Sequence, residues 1–217
     1  MKRLPQKILP IPNADKKWHE KWDEGRDLLN IPHPFRLCTL GPPNSGKSTA
    51  VKNILLRINP YFEKIYLCHC DVDETQEYDD IKLTKLKEIP NPSFWDGQVK
   101  TLVILDDLEF KDMKKQQRAC LDRLYGYCST HKNISVILCC QNFTNIPPIV
   151  RRCTNMFVLW RINDYRALKD IGKKCGIRPK RFDELMEKYI VNIHDSLWCD
   201  LTSKSPAKIR INGYQIP

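Results

Sequence analysis

The chain has 217 residues, with a hydrophobic fraction of 41% and a charged fraction of 29%, as expected of one soluble globular unit with a full core. No apolar run approaches the roughly 18–20 residues that a membrane span requires, so no span is expected. The net charge of +10 tilts the expected partners toward polyanions, nucleic acid ahead of a membrane surface.

Residues 1–34 are rich in Pro, Lys and Trp and read as an N-terminal arm, with a short helix in ADKKWHEKWDEGRDLL. The opening MKRLPQKILPIPNADKK lacks the apolar stretch and small-residue cleavage site of a signal peptide, so an intracellular protein is expected. Residues 35–163 are expected to form the core. Its short, nearly continuously apolar runs are FRLCTLG (35–41), KIYLCHC (64–70), TLVILDD (101–107), ISVILCCQ (134–141) and MFVLWR (156–161). Strands of a parallel sheet, covered on both faces, have this character. Helical patterns lie between them in GKSTAVKNILLRI and KDMKKQQRACLDRLYGYCSTH. The alternation predicts an α/β fold, a mostly parallel sheet flanked by helices and joined by right-handed crossovers. In residues 164–217, two helices are expected around a Gly-Ile-Arg-Pro turn. The tail SLWCDLTSKSPAKIRINGYQ then reads as a β-hairpin of the same domain.

Ten cysteines occur, without a CxxC pair. Several sit in strand-like runs, as small buried hydrophobes do, and free thiols suit a reducing compartment. Cys68-His69-Cys70 is a metal-like fragment, but consecutive strand positions point to opposite faces and the three are not expected to converge.

Gly41-Pro42-Pro43-Asn44-Ser45-Gly46-Lys47-Ser48 fits G-x-x-x-x-G-K-[ST] without a mismatch, with a buried strand entering and a helix leaving. This is the Walker A loop of a P-loop NTPase. Its glycines let successive N–H groups aim at a phosphate, and the helix N-terminus adds positive potential. Gly41, Asn44, Ser45, Gly46, Lys47, Ser48 and Thr49 are therefore the expected ATP-binding residues. Lys47 is expected to reach the β- and γ-phosphates, and the Ser48 hydroxyl to join a Mg²⁺ shell.

TLVILDD carries two acidic residues to the end of another buried strand, where open α/β sheets bind ligands. Asp106 is the expected Mg²⁺ partner, and Asp107 the group that polarises a lytic water; Glu109 is a weaker choice for that role. Gln141 ends the next buried strand and is placed to orient water or touch the γ-phosphate. In the additional-strand (ASCE) division of P-loop NTPases, that Gln strand sits between the P-loop strand and the acidic strand.

From QNFTNIPPIVRRCTNMFVLWR (141–161) the sequence resembles the viral genome-packaging ATPases of the FtsK–HerA superfamily, above all the poxvirus-type group of large DNA viruses, virophages and polinton-like elements. GPPNSGKST, LVILDD and HKNISVILCCQN fit the same pattern in the same order, over roughly residues 36–161. The resemblance implies an ATPase motor that moves double-stranded DNA into a preformed capsid through a capsid or portal-like vertex. It implies host cytoplasm or nucleus at sites of virion assembly. It also implies a ring, a hexamer or pentamer, in which a neighbour's arginine completes each ATP site. Arg151 and Arg152, expected on a turn, are the leading choices for that arginine. Relatives often carry Arg just before the position of His131, where this chain has Thr130; the role could then pass to Arg118 or Arg123. Lys173, Lys174, Arg178, Lys180 and Arg181, or the run Lys111–Lys115, are basic enough to grip DNA phosphates. Two rival readings share the loop: a nucleotide or nucleoside kinase, and a non-motor ATPase of helicase-like or scaffold type.

Overall fold

The computed structural model describes residues 29, 31–58, 61–203 and 208–217. The helix expected in the arm lies outside them apart from Leu29, as does the Ser-Lys-Ser-Pro turn apart from Ser203. The expected apolar runs form β1 (Arg36–Leu40), β2 (Lys64–Cys68), β4 (Thr101–Asp106), β5 (Ile134–Cys140) and β6 (Met156–Leu159). A short strand, β3 (Thr84–Leu86), stands at one edge, and β7 (Leu197–Asp200) and β8 (Ile209–Ile211) at the other.

All join one eight-stranded sheet in the order β3-β2-β4-β5-β1-β6-β7-β8. The pairings from β3 to β6 are parallel, and β7 and β8 add antiparallel. β5 lies between the P-loop strand β1 and the acidic strand β4, with Thr39 and Asp106 both in register with Cys139. This is the additional-strand arrangement. The expected C-terminal hairpin, β7 and β8, forms one edge of the main sheet.

The continuous apolar character of these strands has a packing cause. Alternate side chains of each strand enter opposite layers. Cys38, Leu40, Val103, Leu105, Val136, Leu138, Phe157 and Leu159 face one layer. It is closed by α2 (Lys115–Arg123), α4 (Pro148–Cys153), α5 (Tyr165–Lys174) and α6 (Pro179–Tyr189). Leu37, Leu102, Ile104, Ile137, Cys139, Met156 and Val158 face the other, with Val51, Ile54 and Leu55 of α1 (Lys47–Arg57). Each large side chain so buried contributes about 1.5–3 kcal/mol.

The 164–190 segment folds as expected: Asp164 caps α5 by accepting from the Ala167 N–H at 2.9 Å, and Pro179 opens α6. α2 does not end at Arg123. It passes through one π-helical turn (Leu124–Cys128) into a last helical turn, α3 (Ser129–His131).

The expected turn after Gln141 is corrected: Arg151 and Arg152 belong to helix α4. Pro148 at its first turn starts this helix, because the fixed φ suits a position whose N–H has no partner.

Candidate nucleotide-binding site

β1 delivers the Walker A loop to the C-terminal edge of the sheet, and the Gly41 N–H donates to the Cys140 carbonyl at 3.3 Å. A Cβ on Gly41 would fall 2.6 Å from Ser45 Oγ and 2.9 Å from Trp160 Cβ, so only glycine lets the loop fold this tightly. Asn44 (φ 60) and Gly46 (φ 105) are left-handed, and α1 starts at the next residue, Lys47. The Lys47 ammonium donates to the carbonyls of Gly41 at 3.0 Å and Pro42 at 2.8 Å. Pro42 and Pro43 have no N–H, so the N–H donors of the loop beyond Gly41 come from residues 44–49.

β4 ends at Asp106, which is 9% exposed and accepts a 2.8 Å hydrogen bond from the Tyr78 hydroxyl. Burial pushes the Asp106 carboxyl above the usual range. The Tyr78 bond opposes that rise, while the charges of Glu77 and Asp107 add to it. Asp107 is exposed and left-handed (φ 49), and Ser48 donates to Glu77 Oε2 at 2.5 Å. Gln141 is exposed just past the end of β5.

A cavity of about 1220 Å³ gathers these groups. It is lined by Asn44, Ser45, Gly46, Lys47, Ser48 and Thr49, and by Asp106, Asp107 and Gln141. Gly41 underlies it through the Lys47 contact. Residues given no site role by the sequence also line it: Glu77 after β2, Trp160 after β6, and His194, Trp198 and Tyr214 from the tail. His194 Nδ1 lies 3.2 Å from the Ser45 carbonyl. No local pattern marks these tail residues, because sheet pairing rather than spacing brings them to the loop.

Ser48 and Asp106 offer hard oxygen donors, the chemistry Mg²⁺ prefers. An Asp106 whose anion is disfavoured by burial and neighbouring carboxylates gains from a cation, so the donor set fits Mg²⁺. Cys68 is buried, its thiol pushed up to about 12 by burial, while His69 and Cys70 turn toward Asp107. The three tandem residues therefore do not converge; ligand atoms of His69, Cys70 and Asp107 lie within 4.8 Å of one another instead.

Arg151 and Arg152 are not among the cavity-lining residues. The Arg151 guanidinium lies 5.6 Å from the Phe143 ring centre, and Arg152 is exposed. Arg123 lies over Tyr127 at 5.7 Å and Arg118 is half-buried on α2, both also away from the lining. Glu109 accepts from the Lys111 N–H and is not in the lining either. Lys173, Arg178, Lys180 and Arg181 are exposed. Lys174 departs from that set: it is half-buried and donates to the Arg152 carbonyl at 3.0 Å. In the other basic run, Lys111, Lys114 and Lys115 are exposed.

No curated protein matches the chain. Among solved structures, the DNA-packaging ATPase B204 from Sulfolobus turreted icosahedral virus is 18% identical with a TM-score of 0.58, covering 81% of this chain and 95% of that one. The genome-packaging NTPase B204 from Sulfolobus turreted icosahedral virus 2, in complex with AMPPCP, is 16% identical with a TM-score of 0.57, covering 82% and 97%. The conjugation coupling protein TcpA of pCW3, with ATPγS, is 16% identical with a TM-score of 0.51, covering 88% and 67%. At such identities the likeness shows a common fold. Residues 74–205, well over half of the chain, match the family described as "Poxvirus A32 protein", a span that includes Asp106, Asp107, Gln141, Arg151 and Arg152. The chain belongs to the poxvirus A32 protein family.

Proposed function

We propose that the chain is an ATPase motor that drives double-stranded viral DNA into a preformed capsid. One observation carries the reading: the Walker A loop, the acidic end of β4 and the Gln141 end of β5 line one cavity. Membership of the A32 family and the fold shared with packaging NTPases support it.

In this reading the N–H groups of residues 44–49 cradle the phosphates, and Lys47 leaves its two loop carbonyls for the β- and γ-phosphates. Ser48 and Asp106 would hold Mg²⁺, which would supply charge neutralisation for the phosphates. Asp107 accepts a proton from the lytic water, and Gln141 orients that water against the γ-phosphate. The subunits form a ring of six or of five, and Arg152 or Arg151 on α4 reaches a neighbour's site as its arginine finger. Exposed Lys173, Arg178, Lys180 and Arg181, with Lys111, Lys114 and Lys115, hold DNA phosphates without reading bases. The work takes place at a capsid or portal-like vertex, inside the host cell where virions assemble. Residues 1–34 are the arm, residues 35–163 the ATPase core, and residues 164–217 a part of that domain because β7 and β8 extend its sheet.

The test measures ATP hydrolysis and native mass with and without double-stranded DNA. DNA-stimulated phosphate release by a ring is the expected result. Phosphate transfer to a nucleoside acceptor, with no effect of DNA, overturns the reading in favour of a kinase.

A further inference from the structure

Glu77 and Tyr78 follow β2 in the connection to β3, outside every motif of the site. Tyr78 is fully buried in the layer that holds Val51, Ile54, Leu102 and Ile104. Its hydroxyl donates to Asp106 Oδ2 at 2.8 Å. One residue earlier, Glu77 accepts the Ser48 hydroxyl proton at 2.5 Å. Two consecutive residues therefore hold the two side chains that the Mg²⁺ site needs.

The chemistry of each contact is directional. A serine hydroxyl has one proton and two lone pairs. While that proton is committed to Glu77, the lone pairs of Ser48 remain available to a cation. A carboxylate whose Oδ2 is held by Tyr78 presents Oδ1 in a fixed direction. Tyr78 can do this because its ring is locked in the core, whereas Glu77 is exposed. The connection is also fastened to the P-loop helix, since Lys52 of α1 lies 2.7 Å from Asp80. That pair is partly exposed and worth little alone, so the buried ring is the anchor.

We propose that Glu77 and Tyr78 are positioning residues for the Mg²⁺ of Mg–ATP, Glu77 aiming the Ser48 oxygen and Tyr78 aiming the Asp106 carboxylate. The inference rests on the ATPase reading. Partners that orient metal ligands from behind typically change metal affinity about 10- to 100-fold when removed.

The experiment titrates a fluorescent ATP analogue first in EDTA and then with rising Mg²⁺, and counts bound Mn²⁺ by electron paramagnetic resonance in its presence. Tyr78→Phe removes one hydroxyl and keeps the buried ring, and Glu77→Gln alters an exposed side chain, so both variants keep the fold. Both are expected to bind the analogue in EDTA within about twofold of wild type, yet to need about tenfold more Mg²⁺ for full affinity. Glu74→Gln removes a nearby cavity charge that has no bond to Ser48 or Asp106, and is expected to leave the Mg²⁺ demand unchanged. Wild-type Mg²⁺ demand in Tyr78→Phe and Glu77→Gln overturns the inference and leaves the ATPase reading standing. An equal shift in Glu74→Gln overturns it too, since bulk charge would then explain the effect. A wild-type chain that binds no analogue overturns the ATPase reading, and this inference with it.

Discussion

A single ammonium illustrates how far one side chain decides the chemistry. Lys47 satisfies two loop carbonyls, and a bound phosphate chain would offer it stronger, charged acceptors. Lys47→Ala is expected to lower turnover by about 100- to 1,000-fold in a phosphate-release assay, the usual loss when one preorganised donor is removed. Asp107→Asn is expected to keep nucleotide affinity and lose about 100- to 10,000-fold in hydrolysis, as a missing general base does; normal turnover would exclude Asp107 from that role. These positions were legible because the loop, the helix start and the strand ends follow from local sequence. Glu77 and Tyr78 were not, since their roles come from hydrogen bonds across an irregular connection. Far from the site, His33 bonds Ser135 Oγ at 2.8 Å and Asn133 Oδ1 at 2.7 Å, and its burial lowers its pKa to about 4. A base lowered in this way gives stability that is full above its unfolded value of about 6.5 and is lost as pH falls from there toward 4. The loss is about 3 kcal/mol across that window. Asp106 titrates in the opposite sense, so the clean measurement compares His33→Gln with wild type at each pH. The variant's urea midpoint should fall less steeply between pH 6.5 and 4.

Among the elements, β5 has the most to hold. It pairs with both β1 and β4, and six of its seven residues are buried. Ile137 is fully buried among Leu37, Ile104 and Val158. Ile137→Ala is expected to cost about 2–5 kcal/mol, read as a lower denaturant midpoint with an unchanged slope. The strands buried on both faces were plain in the sequence because apolar runs of that length have few other uses. β3 escaped notice: Thr84-Lys85-Leu86 is a three-residue edge strand with no buried position and no alternation to read. Helix α4 was hidden by its own prolines, which look like a turn until the first is seen as a cap and the second as the opening residue. The π-helical turn at Leu124–Cys128 has no local signature; it packs Leu124, Tyr125 and Cys128 into the layer that also receives Val150 of α4.

At the scale of the molecule, the proposed arginine from a neighbour would make each subunit catalytically dependent on the next. Arg152 is the more accessible of the two, while the Arg151 side chain lies over Phe143 with its Nε buried. Arg152→Ala subunits, inactive alone, should regain hydrolysis when mixed with Lys47→Ala subunits that supply the arginine. Absence of rescue in confirmed mixed rings would count against a role in trans. Fold class could be foreseen because strand–helix alternation and crossover rules leave few architectures, and the central place of the Gln strand followed from the additional-strand division, whereas the edge strand β3 did not. The tail's part in the cavity could not, since it arises from the addition of β7 to β6. That addition also sets an order in time. His194, Trp198 and Tyr214 line the cavity together with a loop that begins at Gly41, so a ribosome releases the loop long before these residues. A chain still being made has the Walker A sequence but not the closed cavity, whose tail-lined side forms only when β7 joins β6.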